Sequence, residues 1–295
     1  MTNKLVGVLF HPRVDEAHAL AQELAAALKS RGHTVWVASA WKEQEVKDLM
    51  SGTDVVVSVG GDGTILRAAR AIIPAPAPIL GIRYGRLGFI AEIAPGEAVK
   101  SVPSMLDAPW HLDIRAMLCA RLTTHPVEPS LAEAHHPLMN GAPEFHALND
   151  VVVSRGSLGR PIYVKVVVNG QDYFTYRADA VIVSTATGST GYSLSAGGPI
   201  LHPSSRCHVL TAVAAHAAMR NALVLEPSFS VQLVVRSDHG AMLSIDGQGD
   251  VPLEDGEIVE VSPSKYATRF LRATAADDFY RTVLTRLRYG ETPAS

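Results

Sequence analysis

The chain has 295 residues, 47% of them hydrophobic and 19% charged, with a formal net charge of −3. That length allows two domains whose cores need no covalent staples. The slight acidity argues against a general nucleic-acid or membrane-surface binder, which would carry a basic surplus. Two cysteines, Cys119 and Cys207, are too few and too far apart to suggest a disulfide framework and fit a reducing compartment.

The opening MTNKLVGVLFHPR is too short in apolar residues for a signal-peptide core. No run approaches the roughly 18 apolar residues of a membrane span. The expectation is a cytoplasmic protein with no membrane and no nucleic acid among its partners.

The first hundred residues alternate between two patterns. Residues 4–10, KLVGVLF, read as a strand. Residues 15–31 place Leu20, Leu24 and Leu28 on one helical stripe, stopped by Gly32. TVWVA (34–38) is a second strand and KEQEVKDLM (42–50) a short polar helix. DVVVSV (54–59) is a third strand, followed by a helix from about Thr64 to Ile73, and PILGI (78–82) is a fourth strand. Short apolar strands between helices indicate a parallel sheet covered on both faces.

Beyond residue 110 the pattern changes. HLDIRAMLCARL, FHALNDVVVSR, PIYVKVVVNGQ, DYFTYRADAVIVS, FSVQLVVRS and AMLSIDGQ are β-branched or alternating runs separated by turn residues, the pattern of an antiparallel sheet or sandwich. Residues 123–146 read as a loop. DDFYRTVLTRL (277–287) reads as a helix with Phe279, Val283 and Leu287 on one stripe. The fold class expected is therefore a Rossmann-like α/β domain over 1–110, joined by a C-terminal helix at 276–290, and a β-rich, sandwich-like domain over 111–275.

Two stretches carry chemistry. The third strand runs into Gly60-Gly61-Asp62-Gly63 and then a helix. Glycines let backbone approach a phosphate, and a helix N-terminus attracts negative charge. An acid in such a turn repels phosphate unless it serves a hydroxyl or a cation. Phosphoryl transfer to an alcohol needs a carboxylate of that kind, to accept the hydroxyl proton. The turn is neither a Walker A loop nor the dinucleotide fingerprint; its bland alternative is Asp62 or Thr64 capping the helix.

The second stretch, STATGSTGYSLSAGGPI (184–200), follows the strand ADAVIVS. Eight of its seventeen residues are Ser, Thr or Tyr and four are Gly. It reads as a surface for a polar ligand such as a nucleotide, or as a flexible linker.

Together, GGDGTILRAAR and RADAVIVSTATGSTGYSLSAGGPI resemble the NAD kinases, which phosphorylate the 2′-hydroxyl of the adenosine ribose of NAD. RLGFIAE (86–92) and LNDVVV (148–153) resemble that family's segments in the same order. The resemblance implies Asp62 as proton acceptor, with Gly60, Gly61 and Gly63 beside the ligand and Arg67, one helical turn on, facing phosphate. It places Asn149 and Asp150 on the adenosine part, Arg160 as a basic contact, and Arg177 and Asp179 as the Arg-x-Asp before the long motif. In that motif it implicates Thr187, Gly188, Ser189 and the core Thr190, Gly191, Tyr192, Ser193, Leu194 and Ser195. Asp246 and Gln248 would approach from a hairpin, a turn that Asp-Gly favours in its own right.

The same resemblance implies NAD and ATP (or another nucleotide or polyphosphate) as substrates. Mg2+ or another divalent cation would arrive on the donor phosphates, which needs few protein ligands. It also implies a homodimer or homotetramer whose site can take residues from a neighbouring copy. No protein metal ligand set is expected; His135-His136 lacks ligand spacing.

Several positions depart from the family pattern. Asp150 stands for a usual Glu, Gly191 for Ala, Ala186 for Pro and Ala180 for Gly. Arg83 and Tyr84 stand where Asn and a small residue are common. Lipid kinases and phosphofructokinase-type kinases share GGDG, but no GTGN or Thr-Ile-Asp segment is present here. A non-catalytic dinucleotide sensor is the alternative from another class, and the retention of Asp62 speaks against it.

Overall fold

The computed structural model describes residues 3–84, 88–123, 144–157, 160–216, 221–272 and 279–288. The chain divides into two compact units, Met1–Ile114 with Thr268–Ser295, and Arg115–Ala267.

The first unit alternates strand and helix: β1 (Leu5–Phe10), α1 (Asp15–Ser30), β2 (Thr34–Ser39), α2 (Glu43–Leu49), β3 (Val55–Gly60), α3 (Asp62–Ala71), β4 (Ile79–Arg83) and α4 (Pro95–Asp107). The strands form a parallel sheet in the order β2-β1-β3-β4. Every residue of β3 is buried, which is why its sequence runs apolar rather than alternating. Helix α1 buries Leu20, Leu24 and Leu28 on the stripe its spacing predicts. It stops where Gly32 takes φ +88°, a left-handed conformation glycine adopts at little cost.

Helix α4 was not anticipated. It buries Ala98, Val102 and Leu106, one stripe at intervals of four, but carries Pro103 and small residues that obscure it in sequence. The α6 helix (Phe279–Arg288) forms where the final apolar stripe indicates, with Val283 buried.

The second unit is antiparallel. Its strands are β6 (Glu144–Ala147), β7 (Asp150–Arg155), β8 (Ile162–Val168), β9 (Gln171–Ala178), β10 (Ala180–Ser184), β11 (His208–Val213), β12 (Leu223–Leu225), β13 (Val231–Arg236), β14 (Ala241–Ile245) and β15 (Gln248–Leu253). The greater part of β5 (His111–Thr123) and of β16 (Ile258–Arg272) also belongs to this unit. One sheet runs β12-β11-β10-β7-β14-β15; β16, β13, β8 and β9 pair in sequence in the other.

Val153, Val181 and Leu210 from the first sheet and Val164, Tyr176 and Leu233 from the second share one buried core, so the two sheets pack as a sandwich. Two runs read as single strands are broken in the structure. FHALNDVVVSR divides at Leu148-Asn149 and DYFTYRADAVIVS at Asp179. A 3-10 turn over Gly188–Thr190 and the short α5 (Tyr192–Ser195) follow β10. The loop read at 123–146 lies outside the described residues between 124 and 143.

Candidate functional site

In the first unit, α3 begins at Asp62, two residues before the expected start. Gly61 is its N-cap, and no side chain caps the helix, so neither Asp62 nor Thr64 has that role. The three glycines have different reasons. A Cβ on Gly60 would overlap the buried Thr64 side chain, so the turn from strand to helix needs glycine there. One on Gly61 would lie 3.5 Å from the Tyr84 carbonyl, an ordinary contact. One on Gly63 would meet nothing within 4 Å. The fold itself does not require glycine at 63, and that side of the turn is open to close approach.

The Asp62 carboxylate turns toward residues 88–91. Phe89 N–H donates to Oδ2 at 2.6 Å; Ile90 and Ala91 N–H each donate to Oδ1 at 3.3 Å. An ionised carboxylate offers about four acceptor directions. Among the described residues three are taken, and one remains on Oδ2. Gly88 makes this arrangement possible, because a Cβ there would overlap the carboxylate. Gly88 belongs to the RLGFIAE stretch, whose likeness was noted without a role for any residue. Arg67 lies on the same helix, its guanidinium over the Trp41 ring at 4.3 Å.

In the second unit, three segments meet at one end of the β7–β10 pair. Asp150 pairs with Ser184, so the start of β7 lies beside the end of β10 and the hydroxyl-rich run that follows it. The Thr185 hydroxyl donates to the Leu148 carbonyl at 2.6 Å and accepts from Gly188 N–H at 3.1 Å. A Cβ on Gly188 would overlap the Asn149 carbonyl; only glycine lets the two backbones lie that close.

Asp246 closes the group from the β14–β15 turn, where it and Gly247 take φ of 55° and 64°. Its carboxylate accepts backbone N–H from Leu148 (2.9 Å), Asn149 (2.6 Å) and Asp150 (3.0 Å). Asn149 Oδ1 is buried without a hydrogen-bond partner among the described residues. Gln248 follows at the first position of β15.

Burial, with the Asp246 charge second, pushes the Asp150 carboxyl up to about 7. Two acids in one partly dry site cannot both ionise cheaply.

Much of the hydroxyl content is spent inside the loop. Ser189 and Ser193 have no exposed surface. The Ser189 hydroxyl donates to the Ala186 carbonyl at 2.6 Å and accepts from Leu201 N–H; that of Ser193 meets Thr211 at 3.1 Å. Thr190 donates to Thr187, whose own hydroxyl accepts from the buried Arg115 at 3.2 Å. Tyr192 and Ser195 are exposed, and Gly191 and Leu194 half-buried. The run thus folds itself and presents only part of its length outward.

Arg160, Arg177 and Asp179 are not brought to this group. Asp179 pairs with Arg155 at 3.1 Å, at the opposite end of β7 from Asp150. At about 3.3 Å per residue the two acids lie roughly 15 Å apart along the strands. Arg160 and Arg177 line a separate cleft of about 570 Å³ with Arg236 and His239, and Arg160 meets His239 directly.

For a metal, Cys119, Glu144 and His146 bring ligand atoms within 4.8 Å of one another. However, Glu144 already pairs with Arg121 at 2.6 Å and Lys265 at 3.6 Å, charges a cation would have to displace. The His135-His136 pair lies outside the described residues.

The chain matches the family models for the ATP-NAD kinase N-terminal domain over residues 41–108 and the ATP-NAD kinase C-terminal domain over 148–273. It is 38% identical over 285 residues to a protein named NAD kinase from Dehalococcoides mccartyi, across 97% of this chain and 96% of that one. Two solved structures share the fold. Yeast NADH kinase complexed with NADH has a TM-score of 0.81 at 22% identity, covering 100% of this chain and 90% of that one. An NAD kinase from Archaeoglobus fulgidus in complex with ATP has a TM-score of 0.71 at 24% identity, covering 96% and 98%.

Proposed function

The chain belongs to the NAD kinase family and its reaction is the phosphorylation of NAD, and from that premise we propose that Asp62 accepts the proton of the attacking hydroxyl. The acceptor is the 2′-hydroxyl of the adenosine ribose. Its oxygen bonds to the terminal phosphorus of ATP or another polyphosphate donor, the bond to the leaving phosphate breaks, and the proton passes to the carboxylate.

The observation that supports this role is the remaining acceptor direction on Asp62 Oδ2. Three backbone N–H groups fix the carboxylate without occupying it. The Asp62→Asn variant keeps the shape of the side chain and removes the base. Turnover should fall about 10²- to 10⁴-fold with the KM for NAD little changed; NADP formation at the parent rate would rule the role out.

Asn149 and Asp150 hold the adenosine part, and the buried Asn149 oxygen, without a hydrogen-bond partner among the described residues, supports that assignment. Within Thr190 to Ser195, the exposed Tyr192 and Ser195 and the half-buried Thr190, Gly191 and Leu194 add contacts. A divalent cation, when bound, screens the donor phosphates; EDTA should abolish turnover and magnesium restore it.

The protein works as a cytoplasmic homo-oligomer. Arg160, Arg177 and Asp179, at the far end of β7, serve a dinucleotide held by a neighbouring copy. Light scattering at micromolar concentration should give at least a dimer mass, and a monomer would overturn this reading.

A further inference from the structure

Phosphoryl transfer makes no use of a polar cluster in the second unit. Strands β5 and β6 pair with Leu118 opposite Ala147, Cys119 opposite His146 and Arg121 opposite Glu144. Side chains alternate between the faces of a sheet. Leu118, Ala120 and Ala147 enter the sandwich core, so Cys119, Arg121, Glu144 and His146 share the face turned away from it. Cys119 and His146 are nonetheless only 4% and 8% exposed.

Directly opposed residues have Cβ atoms about 5 Å apart, and here one pair joins a thiol to an imidazole. Glu144, two residues before His146, stands on the same face. Ligand atoms of the three lie within 4.8 Å of one another, and His146 Nε2 is 3.6 Å from Glu144 Oε2. Ligands of a tetrahedral zinc ion are separated by about 3.3 to 3.6 Å. The imidazole–carboxylate edge already has that length.

The ring is held as a ligand would be. Its Nδ1 meets the Ser264 hydroxyl at 3.0 Å, that hydroxyl accepts from Tyr266 N–H at 3.0 Å, and the Tyr266 ring packs edge-on against the imidazole. Metal-bound histidines have such a partner on the second ring nitrogen. With the proton on Nδ1, the Nε2 lone pair is left facing Glu144.

Arg121 and Lys265 oppose a cation, because both pair with Glu144, at 2.6 and 3.6 Å. Both have an alternative. The Lys265 side chain is 65% exposed and can turn to water. Glu260 has a buried Oε2 with no hydrogen-bond partner among the described residues, and its charge acts on both Arg121 and Cys119. Val259 and Val261 beside it enter the core, so Glu260 faces the same side as the cluster. A divalent cation with one thiolate and one carboxylate is neutral, and so is Arg121 with Glu260. The charges balance with a cation bound; without one, a buried carboxylate oxygen is left orphaned.

We propose that Cys119, Glu144 and His146 form a binding site for a divalent cation of the zinc class, separate from any cation carried in on donor phosphates. Sulfur and nitrogen ligands select zinc over magnesium. Binding replaces the thiol proton, which leaves to solvent. The cation ties β6 to β5 just ahead of Asn149 and so braces the strand that leads into the proposed adenosine site.

Cobalt tests the site, because a thiolate bound to Co2+ gives a charge-transfer band in the near ultraviolet and tetrahedral Co2+ gives strong visible bands. The untagged, reduced full-length protein should develop both on stoichiometric titration. Zn2+ should abolish them, and a large excess of Mg2+ should not. Cys207→Ser should keep both, and Cys119→Ser should lose the charge-transfer band. Ser264→Ala, which keeps all three ligands, should weaken binding about tenfold or more. Zn2+ should also raise the melting temperature of the parent and not that of Cys119→Ser. A parent without the thiolate band, or a Cys119→Ser variant that retains it, overturns the proposal. None of these readouts depends on turnover, so the kinase reading stands or falls separately.

Discussion

Gly88 contributes to the proposed chemistry without a side chain. The Asp62 carboxylate occupies the space where a Cβ at 88 would stand. In Gly88→Ala the methyl cannot yield, but the carboxylate, at the end of a side chain, can. The substitution should therefore cost little stability and much activity. Turnover should fall at least about tenfold with the melting temperature within a few degrees of the parent, and an active Gly88→Ala enzyme would show that Asp62 tolerates another orientation.

Asp150 gives a prediction of a different kind. Its carboxyl titrates near 7 when folded, against about 3.8 in an unfolded chain. Between those values the native state holds a proton that the unfolded state has released, so stability falls as pH rises from about 4 to about 7 and is flat above. Asp150→Asn removes the buried charge. It should be more stable than the parent at pH 8 by on the order of 2 kcal/mol, at 1.4 kcal/mol per pKa unit and discounting for coupling to Asp246. The advantage should shrink toward pH 4. Urea unfolding across that range measures it, and two parallel curves would contradict it.

At the scale of elements, the β14–β15 turn is a clamp on the Leu148–Asp150 turn. Asp246 takes three consecutive backbone N–H groups, and its left-handed backbone aims the carboxylate at them. Asp246→Asn keeps the backbone preference but turns an amide N–H toward those donors. The KM for NAD should rise about tenfold while the donor KM stays near the parent value; equal loss in both would mean general misfolding. This clamp was only half legible. Asp-Gly announces a hairpin, but its partner lies almost a hundred residues earlier, beyond any local pattern.

The same limit explains what else escaped. Three strands of the parallel sheet, β1, β3 and β4, were visible because burial on both faces makes them continuously apolar, and the edge strand β2, half-buried at Val35 to Val37, by its valines. The hydroxyl-rich run was visible by composition, but composition does not separate hydroxyls that face outward from Ser189 and Ser193, which fold the loop. The last strand, β16, was missed because its middle, Ser262 to Lys265, is polar and holds Pro263. Gly88 gave no signal of its need, since the acid it accommodates stands 26 positions away.

For the molecule as a whole, the sequence order of the chain is not its order of assembly. The first unit is completed by residues from 268 onward. Phe270 pairs with Ile79 of β4, and it and Leu271 are buried. Arg272 then donates to the Ile90 carbonyl at 2.7 Å and to Asp113 at 3.0 Å, both side chains of that ion pair being 85% or more covered. Ile90 N–H is itself one of the three donors to Asp62. A residue near the end of the chain thus backs the loop that orients the proposed proton acceptor. Arg272→Met preserves the apolar stem but removes the guanidinium that pairs with Asp113, which should cost up to about 3 kcal/mol of stability. If the loop depends on this support, the folded fraction of the variant should also turn over more slowly, about tenfold, because orientation and not only folding is lost. Turnover per folded molecule separates the two effects. A value equal to the parent's would mean that residues 88–91 hold Asp62 unaided, and that the C-terminal segment serves the fold of the first unit alone.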